Sequence, residues 1–329
     1  MFAEYFRVLR FSFPVMTLGT GGNEVHQLEV DIPASFNFAS TVRRNIFGIG
    51  DVKVLGTAEA PVVARAFWIA DEPIGVRIRV DKQAEKLIME TEDEKGAKQL
   101  LPLVRHWLDL DTDYEMAMSR LCQDPVLKPV VHALRGLHLQ RDVDSFCCLV
   151  RMMVGQQVNV AFATTLTNRL IQLVGHKVDI GCETLDVFPK ASDVARLSVD
   201  TLRTLQFSER KAQYIVNLAK MVADGQIDLS ANNLDWMEDE DLITYLCQIR
   251  GVGRWTAQCC ALFSLRRPDI FPAQDVGLLD AIGRLCGGVR PSIEQAADMA
   301  EAWSPYRSYA AHILWCSRRH LETGGNSPE

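Results

Sequence analysis

Taken as a pattern of hydrophobic and polar positions, the chain changes texture about a third of the way along. Residues 25–32 (VHQLEVDI) alternate apolar and polar side chains, the period of a half-buried strand. Residues 36–47 carry helical spacing, with Ser40 and Thr41 as caps for part of it. Residues 52–55, 61–69 and 74–80 are β-rich runs broken by Gly, Pro and Asp, which predicts an antiparallel meander. Residues 83–90 fit no single pattern, and the charged stretch 92–98 reads as a solvated loop or the start of a helix. From about Leu108 onward the spacing is helical in one segment after another: 114–122, 125–137, 144–154, 158–174, 191–197, 199–205, 208–224, 239–248, 255–265, 276–285, 292–303 and 308–318. Start and stop signals support this: Ser208 precedes Glu209 and an apolar series from Ala212, and Asp224-Gly225 is a stop. The pattern predicts an α+β domain, an antiparallel sheet with helices, over residues 1–108, then a mostly α-helical domain over 109–322 and a disordered tail at 323–329.

Composition narrows the class. The 329 residues are 48% hydrophobic and 23% charged, enough apolar matter for a full core. The net charge of -7 argues against a protein that coats nucleic acid nonspecifically. Neither half is basic: residues up to 130 hold 15 basic and 19 acidic side chains, and the rest 20 and 23. A nucleic-acid partner therefore has to be argued from a local site. The nine cysteines are odd in number and show no C-x-x-C pair, so free thiols in a reducing compartment are expected. The seven histidines show no H-E-x-x-H, which gives a zinc site no support. The apolar run 11–19 is broken by Pro14 and lacks the marks of a signal peptide, and no run of about 18 apolar residues predicts a membrane span. A cytoplasmic protein is expected, nucleoid-associated if its source is bacterial.

Candidate chemistry concentrates between Asp239 and Arg267. A helix ends near Ile249-Arg250, a turn Gly251-Val252-Gly253 follows, and a second helix begins near Arg254. Turn amides and a helix N-terminus pointing one way make an anion site, suited to a single backbone phosphate. Arg250, Arg254, Arg266 and Arg267 stand near Asp269 alone, so the patch reads as locally positive, with the acidic run from Asp235 to Asp241 facing elsewhere. On G-V-G by itself an ordinary helix-to-helix turn is the better reading.

The longer string shifts that balance. Leu246-x-x-Ile249-x-Gly251-Val252-Gly253-x-Trp255-Thr256-Ala257 resembles the helix-hairpin-helix element of DNA glycosylases, and Asp269-Ile-Phe-Pro-Ala-Gln-Asp275-Val-Gly-Leu-Leu resembles that superfamily's loop bearing the catalytic aspartate. Residues 149–163 (LVRMMVGQQVNVAFA) look like the helix and loop that enter DNA in alkylation-repair members, and residues 188–212 and 302–310 are similar to later helices. The resemblance covers about residues 110–320. Before it, the α+β region resembles the extra domain of the 3-methyladenine DNA glycosylase II (AlkA-type) branch.

That resemblance implies both an architecture and an activity. The helical domain would be two lobes, about 141–264 and 109–140 plus 265–322, with the active site in the cleft between them. The chain would be a monofunctional N-glycosylase that acts as a monomer on duplex DNA carrying damaged bases and leaves an abasic site. Asp275 would stabilise the oxocarbenium-like sugar or activate water, although a plain helix cap also explains an aspartate there. Trp255 and Trp315 would line the base pocket, with core packing open for Trp315; Tyr309 is a further candidate there, with core packing the better reading because aromatics at helical spacing usually pack. Gly251, Val252, Gly253, Arg250, Arg254, Gln156 and Gln157 would contact DNA. Gln157 stands where a leucine wedge is usual and reads either as the wedge or as a polar loop residue. The carbonyls of Ile249 and Gly251 would hold a monovalent cation, with no cofactor required. Strand-cleaving relatives carry a lysine where this chain has Trp255, which leaves no amine for a Schiff base. Cys286 and Cys316 lack the C-terminal cysteine set of an iron-sulfur cluster. Two other readings stay open, a related glycosylase with another lesion preference and a non-catalytic DNA-binding protein.

Overall fold

In the computed structural model, which describes residues 16–20, 23–43 and 51–323, the first third of the chain is built on a six-stranded antiparallel sheet. Its strands are β1 (Met16–Thr20), β2 (Asn23–Asp31), β3 (Val52–Gly56), β4 (Pro61–Ile69), β5 (Glu72–Asp81) and β6 (Lys86–Thr91), in the order β1-β2-β6-β5-β4-β3. The alternation read in β2 turns Leu28 and Val30 inward and leaves Glu29 and Asp31 exposed. Helices α1 (Phe38–Val42) and α2 (Glu94–Trp107) cover one face of the sheet, burying Val63, Phe67, Val76 and Ile78 with Leu100, Val104 and Trp107. Asn37, rather than Ser40 or Thr41, caps α1, its side chain accepting from the Ser40 amide at 2.9 Å. The predicted helix beyond residue 43, the apolar run before Met16 and the tail after Thr323 lie outside the described residues.

The charged stretch 92–98 is the first turn of α2, opened by Asp93, whose carboxylate accepts from the Gly96 amide at 2.9 Å. Pro102 inside this helix removes one amide donor and interrupts the pattern by which the rest is recognised. Sequence reading also missed a second sheet, the hairpin β7 (Lys177–Ile180) and β8 (Glu183–Asp186). Ile180, Leu185 and Val187 pack on Ala64 and Ala66, covering the other face of the large sheet. That explains why β4 is apolar almost without a break: both its faces are buried.

The remaining helices form one continuous core. They are α3 (Tyr114–Leu121), α4 (Lys128–Ala133), α5 (Ser145–Gly155), α6 (Val160–Val174), α7 (Ala191–Val194), α8 (Val199–Thr204), α9 (Glu209–Ala223), α10 (Ala231–Leu234), α11 (Asp239–Cys247), α12 (Arg254–Phe263), α13 (Val276–Leu285), α14 (Ile293–Glu301) and α15 (Arg307–Thr323). The segment predicted at 125–137 shrinks to α4, bounded by Pro129 near its start and by Gly136 at φ +80° beyond its end. Helices α5 and α12 pack together and carry the two adjacent cysteine pairs, all four buried. Burial pushes the Cys147 and Cys259 thiols well above their usual range, as expected for small apolar fillers.

Two buried ionic clusters join the sheet region to the helices. Arg151 of α5 donates to both oxygens of Asp51 at 2.7 and 2.8 Å, and Arg65 of β4 reaches the same carboxylate at 3.3 Å. In the second cluster Arg141 and Asp109 are fully buried and bonded at 2.8 Å. Arg141 also donates to the Leu262 carbonyl of α12 at 2.7 Å. Tyr114 and Thr112 donate to Asp109 at 2.8 and 2.9 Å, and the Tyr114 oxygen accepts from the Leu139 amide.

Candidate active site

The hairpin joins α11 to α12, and the Val252 amide closes it by donating to the Ile249 carbonyl at 2.9 Å. Its two glycines serve different ends. Gly251 sits at φ +99°, and a Cβ there would lie 2.4 Å from Cδ2 of Tyr214, so the fold itself demands glycine. Gly253 is exposed at φ -93°, with nothing within 4 Å of where a Cβ would stand. It is the N-cap of α12 and supplies no capping side chain, so the first-turn amides remain open to an incoming anion.

Asp275 caps α13, its Oδ1 accepting from the Leu278 amide at 2.9 Å. Capping is only part of its setting. Trp255 Nε1 donates to Oδ2 at 2.9 Å, and Trp315 Nε1 donates to Oδ1 at 2.8 Å. Three N–H donors from α12, α13 and α15 thus fix both carboxylate oxygens, while the neighbouring Val276 is 57% exposed and the site stays open to solvent. Trp315 stacks on Phe263, with ring centroids 5.5 Å apart. The loop before Asp275 is held from α12, where the Gln258 oxygen accepts from Gln274 at 3.0 Å. Sequence reading singled out the indoles for their faces and missed their N–H groups, since spacing along three separate helices shows nothing of convergence on one carboxylate. Phe263 and Gln258 carried no signal, and Gln274 stood only as an unassigned position of the loop that leads to Asp275.

Tyr309 stands elsewhere. It is buried, its ring edge-on to Tyr114 at 5.3 Å and its hydroxyl 3.4 Å from Thr112 and Arg141. Six positions separate it from Trp315 at about 100° each, so the two face different sides of α15. Gln156 turns inward: its Nε2 donates to the Gly251 carbonyl and to Thr256 Oγ1, both at 3.0 Å, tying the 155–157 loop to the hairpin. Gln157 is exposed at φ +56°, a left-handed conformation unusual for a non-glycine residue, and its side chain makes no hydrogen bond among the described residues.

The positive patch around the hairpin is smaller than the sequence suggests. Arg254 forms a two-pronged pair with Glu240 at 2.9 and 2.6 Å, and Arg267 pairs with Asp239 at 3.3 Å. Arg266 lies 3.7 Å from Asp111, and Asp269 is taken by Arg307 at 2.9 Å. The acidic run in fact borders the hairpin arginines, because the chain returns along α11. Of the four, Arg250 alone has no ion pair among the described residues; its guanidinium carbon lies 5.9 Å from the Tyr214 ring centroid.

Comparison with known proteins spans this region. Residues 150–305, which contain the hairpin and Asp275, match the family model described as HhH-GPD superfamily base excision DNA repair protein. The Bacillus subtilis (strain 168) protein YfjP is 39% identical over 184 residues, spanning 55% of this chain and 62% of that protein. The DNA-3-methyladenine glycosylase of the same organism is 29% identical over 267 residues, 78% of this chain and 86% of the relative. The 3-methyladenine DNA glycosylase from Archaeoglobus fulgidus shares the fold over 90% of this chain and 99% of its own, with a TM-score of 0.78 at 19% identity. The stretch similar to the HhH-GPD superfamily of base excision DNA repair proteins, residues 150–305, is just under half of the chain. The second of these relatives and the Archaeoglobus structure both carry the name 3-methyladenine DNA glycosylase.

Proposed function

We propose that this chain is a monofunctional DNA glycosylase that removes alkylated bases of the 3-methyladenine type from duplex DNA, acting as a monomer. The carrying observation is the Asp275 carboxylate, held by two indole N–H groups and one helix amide at an open site. As an N-glycosidic bond breaks, positive charge grows on the sugar, and a fixed anion beneath it stabilises that charge without reorganising. Oxygens anchored on three sides also hold a definite direction for orienting or deprotonating an attacking water. An alkylated purine is already cationic and leaves readily, so electron-rich faces such as those of Trp255 and Trp315 favour it by about 0.5–2 kcal/mol.

The rest of the site suits a flipped nucleotide. The open amides at Gly253 take a phosphate, and Gln157, held out from a strained loop, fills the space the base vacates. The carbonyls of Ile249 and Gly251 each accept one hydrogen bond and keep a second lone pair, with which they would hold a monovalent cation. Such a cation would add positive charge at the backbone contact; the chemistry proceeds through Asp275.

The test is incubation with methylated duplex DNA, with and without borohydride. Free 3-methyladenine and an unbroken, alkali-labile strand are expected, with no covalent enzyme–DNA species. A trapped species would overturn the monofunctional reading, and DNA binding without base release would leave a binding protein. The glycines give a second expectation. Gly253→Ala leaves the melting temperature almost unchanged and weakens DNA binding by about tenfold, the worth of one hydrogen bond to a charged group. Gly251→Ala destabilises the protein outright, because its φ and Tyr214 both oppose a Cβ. Unchanged affinity in a folded Gly253→Ala variant would remove the phosphate cradle.

A further inference from the structure

Carboxylates neutralise Arg254, Arg266, Arg267 and Arg307 around the site, yet two exposed guanidiniums beside the hairpin have no ion pair among the described residues. These are Arg210, in the first turn of α9, and Arg250, next to Gly251. Both lie on one tyrosine. Arg210 Nε donates to the Tyr214 hydroxyl at 2.6 Å, and its guanidinium carbon is 5.5 Å from the ring centroid; that of Arg250 is 5.9 Å away. Tyr214 in turn packs against Gly251, so the cluster is seated on the hairpin. The start of α9 is also fixed to the other DNA-facing loop, since Lys211 Nζ donates to the Val154 carbonyl at 2.7 Å, just before Gly155-Gln156-Gln157. The one acidic side chain in the first turn of α9, Glu209, accepts from Gln213.

We propose that Arg210, Tyr214 and Arg250 form a second phosphate site, which grips a phosphodiester between the nucleotide held at Gly253 and the strand entered at Gln157. This rests on the glycosylase reading for its ligand, duplex DNA. The chemistry is direct. A guanidinium presents a planar fork of donors that matches two phosphate oxygens. The Tyr214 oxygen accepts from Arg210, which leaves its own proton to donate to the same phosphate. The hydrogen bond from Arg210 also lowers the Tyr214 pKa, with the Arg250 charge adding to the effect, so the phenol is a stronger donor than an isolated tyrosine. Gly251 acquires a further reason to be glycine, because it leaves the space in which Tyr214 carries both arginines.

The test is the salt dependence of binding to a duplex with a stable abasic-site analogue, measured by fluorescence anisotropy. Each neutralised phosphate contributes about 0.9 to the slope of log K against log salt. Arg210→Gln and Arg250→Gln are each expected to make the slope shallower by about 1. Tyr214→Phe, which keeps the ring against Gly251, is expected to weaken binding several-fold with little change in slope. Melting curves show whether each variant is folded. Wild-type slopes in both folded arginine variants would overturn the site. If the wild type releases base while those slopes stay put, the second site alone fails. If the wild type binds duplex but releases no base, the glycosylase reading fails and the slopes still decide the site. No binding by the wild type at low salt would overturn both.

Discussion

Replacing Arg141 by leucine is expected to destabilise the protein by about 3–5 kcal/mol, the usual loss when one member of a buried ion pair is removed. Asp109 and Arg141 have no exposed side-chain surface, so the variant would leave a carboxylate in the interior with the Tyr114 and Thr112 hydroxyls and a distant Arg266, 3.9 Å away, to compensate it. It would also cut the link from Arg141 to the Leu262 carbonyl at the end of α12, the helix that carries Trp255. Acidity should modulate the loss. Burial alone raises the Asp109 pKa, but Arg141, helped by Tyr114 and Thr112, more than offsets it and holds the carboxyl below its ordinary value of 3.8. Folded Asp109 therefore binds its proton more weakly than the unfolded chain does. Its contribution is complete above the ordinary carboxylate range and fades as the pH falls through and below it. Without Arg141 the upward push of burial is opposed only by the two hydroxyls and by Arg266 at 3.9 Å, so the Asp109 pKa rises, protonation relieves the variant and the gap to wild type narrows as the solution is acidified. Urea unfolding at pH 7 and about pH 5 measures both effects. Asp109→Asn combined with Arg141→Leu should recover part of the loss, since no buried charge is then left unpaired and asparagine tolerates the φ of +51° at this position. A loss under about 1 kcal/mol, or a gap that widens towards low pH, would contradict this reading.

How far the sequence could be read differs between the fold and the site. Strands β2, β4 and β5 and most long helices were legible because one burial pattern ran through each. The β7–β8 hairpin was not, though Lys177-Val-Asp-Ile and Glu183-Thr-Leu-Asp alternate about Gly181-Cys182, with Gly181 at φ +58°. Two strands of four residues are weak signals among helices, and their apolar face is explained only by Ala64 and Ala66 far away in the chain. Asp275, the hairpin and the two indoles were legible as positions, but their mutual hydrogen bonds were not. For Tyr309 core packing was the better reading and the structure buries it, but the polar cluster that claims this face of its helix was invisible in the sequence. The arginine patch misled for a related reason: charges adjacent along the chain were counted, whereas the carboxylates that neutralise them arrive from α11 and from Asp111. Arg210 escaped notice because its partner Tyr214 meets Gly251 only in three dimensions.

Changing Asp275 to asparagine is the substitution with the largest expected effect on activity. Asparagine caps a helix as well as aspartate does, and its carbonyl can still accept from the Leu278 amide. Its amide nitrogen, however, is a donor facing an indole N–H that also donates, so one of the two tryptophan contacts is lost along with the charge. A folded, DNA-binding protein with a disabled reaction is therefore expected. Removing a group that moves a proton in the transition state costs about 10²–10⁴ in rate, and losing the anion opposite the sugar acts in the same direction.

The most direct measurement is single-turnover release of 3-methyladenine from methylated duplex DNA by wild type and Asp275→Asn, with melting temperature and DNA affinity taken on the same preparations. The expected result is release by the wild type and a rate lower by about 10²–10⁴ in the variant, with folding and affinity preserved. Release by a folded Asp275→Asn protein at the wild-type rate would contradict the assignment of Asp275 as the group that carries the reaction.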